Sequence, residues 1–244
     1  MKYLLPAFSI LLMGFIASYF MGKPLHQFEN IDRMIDDSIP GAILRKSLGG
    51  LQVLVANFFW IQRESHWEKR EWNPTMIAME MAIQINPRNV HFWIHGARSI
   101  AFDMPDWRLK SLYDKRGPLP ESIIEKIKKE QVEEALRLLD QAAILFPDNY
   151  RIPLEQAQVC MQSLMDEERA VHYYKKVTEL PNCPNIVHRV YAETLFRLGN
   201  TEGALGYYME HHNSLNPDDP TALKSSVYNR ILELQKILKF HGQE

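Results

Sequence analysis

Cysteine is nearly missing: two residues in 244, Cys160 and Cys183, which excludes a disulfide-rich scaffold and any four-cysteine zinc or iron–sulfur site. Neither sign of charge dominates. With 28 Lys and Arg against 30 Asp and Glu, the net charge of -2 lacks the basic surplus that nucleic acid or an anionic bilayer surface selects. There is no glycine-rich phosphate loop, no G-x-S-x-G elbow and no pair of carboxylates that the sequence pattern brings together. Alternation of apolar and polar residues is not sustained anywhere, so a sheet is not expected. Nothing in this list calls for an enzyme or a cofactor.

What is present begins with an apolar run. Residues 3–21, YLLPAFSILLMGFIASYFM, carry no charge, and 19 residues at 1.5 Å each nearly match a hydrocarbon core about 30 Å thick. The run is longer than a signal-peptide core, and bulky Tyr19, Phe20 and Met21 stand where small residues mark a cleavage site. The expectation is an N-terminal transmembrane anchor over 1–22, with the N-terminus cytoplasmic and the body periplasmic or otherwise extracytoplasmic. Residues 23–46 follow as a juxtamembrane tether, with Phe28, Ile31, Met34 and Ile35 at helical spacing and a break at Ser38-Ile39-Pro40-Gly41. The stretch GGLQVLVANFFWI at 49–61 is strongly apolar but too short to span, and reads as a buried core helix.

Beyond it the chain reads as helical almost throughout, and it repeats. Ala170 and Ala204 stand 34 residues apart, each followed four residues later by tyrosine, Tyr174 and Tyr208. Ala135 precedes Ala170 by 35 residues, with Leu139 in the tyrosine place and Pro147 closing the unit. Met79, Ala82 and Pro87 give an earlier copy. The first helices keep the same phase: Trp93, Ala97 and Ile100, then Leu154, Ala157 and Met161, then Tyr191, Ala192 and Leu195. Small residues permit close helix approach and large ones fill the seam. This pattern resembles the tetratricopeptide repeat (TPR) family over residues 56–218, in repeats 56–89, 90–149, 151–184 and 185–218. The resemblance implies an all-α solenoid of about four helix-turn-helix repeats over 47–218. Residues 219–244 then supply a C-terminal capping helix through Leu223, Val227, Ile231 and Leu234.

Two features need separate treatment. The second repeat holds about 26 extra residues, an insertion at about 103–130 that reads as a Pro- and Trp-containing loop followed by a charged helix from Pro120. His91 and His95 lie one turn apart on the first helix of that repeat, the spacing of a metalloprotease helix. Phe92 occupies the place of the glutamate such a helix needs as general base, and no acidic third ligand follows before Asp103. In the TPR frame His91 lies instead at a groove-lining position.

The same frame implies a protein-binding groove of Asn57, Trp60, Glu64, Trp67, His91, Ile94, Arg98, Glu155, Val159, Gln162, Arg189, Glu193 and Phe196. These residues depart from the Lys- and Asn-rich clamp of chaperone-binding TPR proteins. An extended or helical protein segment is the natural guest, with Trp60 and Trp67 as anchors. The expected function is a membrane-anchored scaffold for other proteins, set in a bacterial envelope complex and touching lipid through residues 3–21. The alternatives are a self-assembling structural subunit and a metal-dependent hydrolase built on His91 and His95. Both cysteines are expected as free thiols, because their levels on the helices differ by about 12 Å or more.

Overall fold

The computed structural model describes residues 48–241. The expected anchor at 1–22 and tether at 23–46 lie outside the described residues. Among those described there is no strand. They fall into two compact units, one ending at Pro87 and the other starting at Arg88.

In the first unit a 3-10 turn, Gly49–Leu51, leads into α1 (Gln52–Glu68), which packs against α2 (Trp72–Ile85). The start of α1 is not the buried core helix expected for 49–61, since Leu51, Val53, Leu54, Phe58 and Ile61 are exposed. The turn between them is three residues long and places Arg70 in the left-handed region at φ 58. α2 is buried along most of its length through Met76, Met79, Met81, Ala82, Ile83 and Ile85.

The second unit starts where the Asn89 side chain accepts the His91 N–H and caps α3 (Val90–Arg98). A π-helical turn, Ser99–Asp103, carries α3 straight into α4 (Met104–Arg116). Gly117 (φ 77) stops that helix, and α5 (Glu121–Leu145) begins directly after Pro120, as its sequence predicts. The insertion therefore opens differently from expectation: residues 104–116 are helix, not loop. The π turn explains it. Pro105 has no N–H to give, and the Met104 N–H reaches back five residues to the Ser99 carbonyl, so the irregularity is absorbed before the proline. The insert thus lengthens both helices of the second repeat into a pair, with α4 packed on α5.

The array continues as α6 (Arg151–Val159, ending in a π turn at Cys160–Leu164), α7 (Glu167–Thr178), α8 (Asn185–Arg197) and α9 (Thr201–Ser214). A 3-10 turn at Pro220–Ala222 precedes α10 (Lys224–His241). Each helix from α5 to α10 packs on the next, and α3 packs on both α5 and α6. The repeat positions are the contact positions: Ala82, Ala97, Ala135, Ala157, Ala170, Ala192 and Ala204 are all fully buried. Backbone geometry carries the period too. Met165 (φ 53) and Gly199 (φ 81) are 34 residues apart and both left-handed, each ending a first helix. The next residues, Asp166 and Asn200, each cap the following helix by accepting a backbone N–H three residues on, at 2.9 Å. At the far end Val227, Ile231 and Leu234 of α10 close a core with Ala192, Ala204 and Tyr208, as a terminal cap must. Leu223, expected in the same stripe, instead precedes the helix in the left-handed region (φ 48) and is exposed.

Candidate interaction surface

In the first unit Asn57 and Glu64 are exposed, and Trp60 and Trp67 are half-buried. The two indoles are partly committed within the helix. The Arg63 guanidinium lies 5.0 Å from the Trp60 ring centroid and 5.9 Å from that of Trp67, and its Nη1 donates to Glu64 at 2.6 Å. A buried cation is costly unless charge and aromatic faces surround it. Arg63 was not singled out by the repeat frame. Its signal was an arginine placed three residues after one tryptophan and four before another.

In the second unit α3 and α6 lie side by side, and the expected groove residues divide by depth. His91, Arg98 and Gln162 are exposed, whereas Ile94 and Val159 are buried and present no surface. Glu155 is buried as well, 3.3 Å from Arg98 Nε. Burial pushes its carboxyl above the usual range, opposed by the guanidinium groups of Arg98 and Arg151. Arg98, half in solvent, thus anchors one end of its charge on an acid beneath the surface. The rings of His91 and His95 lie against each other, centroids 4.0 Å apart and planes tilted by 37°. Among the described residues no three His, Cys, Asp or Glu side chains converge to hold a metal.

The last repeat presents its groove residues to the protein itself. Arg230 of α10 makes a two-pronged pair with Glu193, Nε to Oε1 at 2.7 Å and Nη2 to Oε2 at 2.8 Å, and the Tyr208 hydroxyl donates to Oε1 at 2.7 Å. The guanidinium also lies 4.8 Å from the Phe196 ring centroid, and Arg189 donates to the Ala222 carbonyl at 3.3 Å. Burial alone would raise the Glu193 carboxyl, but the hydrogen bonds from Arg230 and Tyr208 hold it below the usual range. Arg189, Glu193 and Phe196 therefore receive the capping helix. Of the expected groove residues of this unit, those that stay exposed, His91, Arg98 and Gln162, lie on α3 and at the end of α6.

One further grouping was missed at the level of sequence. His188 and His211 stack at 4.5 Å between α8 and α9, with the Tyr207 hydroxyl 2.7 Å from His188 Nδ1. Cys160 and Cys183 are free thiols, and burial pushes both up to about 11, so neither is a thiolate near neutral pH.

No protein-family model matches the chain, and no curated protein matches it. Among solved structures, the crystal structure of MamA protein is similar at 10% identity and TM-score 0.41, covering 78% of this chain and 90% of that one. A thermophilic TPR protein of Thermus thermophilus is similar at 15% identity and TM-score 0.34, covering 74% and 98%. The helix pairs of this chain, phased at 34 residues with buried alanines at the seams, themselves carry its all-helical fold.

Proposed function

We propose that the chain is a membrane-tethered scaffold that holds a segment of another protein against the open face of α3 and α6. The observation that carries this is the division by depth: His91, Arg98 and Gln162 stay exposed on adjacent helices while Ile94 and Val159 of the same helices are buried. Stacked helix pairs present broad, rigid surfaces, and rigidity lowers the entropy lost on binding. The uncharged run at 3–21 supports attachment to a bilayer, and its slight charge bias supports an extracytoplasmic body in a bacterial envelope complex. The lengthened α4–α5 pair is the second contact candidate, since insertions in repeat arrays gather on one face and often bind.

Affinity capture from detergent extracts tests this with full-length protein carrying His91→Glu and Gln162→Arg. Both side chains are exposed, so the melting temperature should hold while specific partners are lost. An unchanged partner set removes this face as the site, and no partners for either protein removes the scaffold reading.

A further inference from the structure

The densest group of exposed apolar side chains among the described residues lies on α1 and the turn before it. Leu51 is 55% exposed, Leu54 66%, Phe58 48% and Ile61 66%, spaced three, four and three residues apart. At 3.6 residues per turn they fall within an arc of roughly 80°. Ala56, buried on the opposite side, and Val55, buried beside the arc, belong to the part of α1 that packs on α2. A helix apolar on two faces needs two apolar neighbours, and α2 supplies one. No charged residue occurs from Ser47 to Gln62, so no charge in these first turns resists leaving water; the amides of Asn57 and Gln62 flank the apolar face, which turns polar at Ser65 and Glu68. At 17 residues α1 does not cross a bilayer, and no described helix is long and apolar enough to do so.

We propose that α1 lies in the plane of the bilayer interface, with Leu51, Leu54, Phe58 and Ile61 dipping among the acyl chains. The bilayer is favoured over a protein partner by the position of α1 in the chain. Leu51 follows the uncharged run at 3–21 by 30 residues, a span of at most about 100 Å, so attachment of that run keeps α1 within reach of the same membrane. The inference rests on the anchoring part of the proposed function. It adds that the body is laid against the membrane through its first helix rather than swinging on a tether.

Full-length protein in phosphatidylcholine vesicles, in a Cys183→Ser background with Cys160 left buried, carries single nitroxide labels at Leu54→Cys, Ile61→Cys, Leu12→Cys or Glu202→Cys. Oxygen concentrates in lipid and a nickel chelate stays in water. The expected result is an oxygen-to-nickel accessibility ratio several-fold higher at 54, 61 and 12 than at 202. Lipid-like values at 12 with aqueous values at 54 and 61 overturn the inference and leave the anchor standing. Aqueous values at 12 overturn both. Poor access for both reagents at 54 and 61 means a protein surface, a second copy included, covers α1, and also overturns the inference.

Discussion

Arg230→Met isolates the contact that closes the repeat array. Methionine keeps a long apolar stem against Phe196 and removes only the guanidinium. Lost are two hydrogen bonds to the Glu193 carboxylate, at 2.7 and 2.8 Å, and the ring contact at 4.8 Å. The bond to Glu233 counts for little, because Glu233 is 60% exposed. Hydrogen bonds to charged groups contribute about 1.5–3 kcal/mol, and partial exposure here, 25% for Arg230 and 33% for Glu193, places the loss near the lower end. With about 0.5 kcal/mol from the ring contact, the variant should lose about 2 kcal/mol in urea unfolding at neutral pH. The pH dependence fixes the mechanism. Glu193 is held below its unfolded value of about 4.3, so its stabilisation is present above that value and is lost as pH falls through the folded one. The difference between wild type and variant should therefore shrink at pH 3, and amide exchange along α10 should quicken first in the variant. A loss under about 0.5 kcal/mol at pH 7, or the same loss at pH 3, would refute the reasoning.

Three further outcomes follow from the geometry. Met165→Gly should raise stability by up to about 1 kcal/mol, since a left-handed L-residue costs about 1–2 and a glycine returns about 0.5–1 through the unfolded chain; Met165 is 84% exposed and gives up no burial. Gly199→Ala, one repeat later at the same position, should lower it by about 1 kcal/mol, and thermal melting reads both signs. Burial, aided by His188, Arg189 and His212, pushes His211 down to about 4, so the folded state takes up its proton later than the unfolded one and stability should fall as pH drops from about 6.5 toward 4. His211→Phe, which keeps the stack on His188, should flatten that slope in a series of urea titrations; a slope identical to wild type would count against the buried histidine.

How much of this was readable beforehand depended on whether a residue's role was local or borrowed from a distant one. The phase of the helices was legible because it is written in side-chain size at fixed intervals, and Trp93, Ala97, Tyr174 and Tyr208 are buried as that phase requires. The start of α5 after Pro120 was legible for the same local reason. The helical state of 104–116 was not, because Pro105 reads as a breaker unless a π turn comes before it, and such a turn leaves no pattern in the residue order. Depth within the groove was equally hidden. Ile94 and Val159 share a repeat position type with exposed Arg98 and Gln162, and only helix packing decides which of them meet water. Arg230 reads as a solvent-facing residue of the capping helix, yet it is the partner of Glu193 and Phe196.

Photo-crosslinking in native membranes tests the central claim most directly, with a photoreactive residue placed in the full-length chain at His91 or Gln162 on the first helices, or at His172 or Glu202 on the second. The account predicts a discrete protein adduct from positions 91 and 162 and none from 172 and 202. Adducts of equal yield from all four positions, or none from 91 and 162, would contradict it.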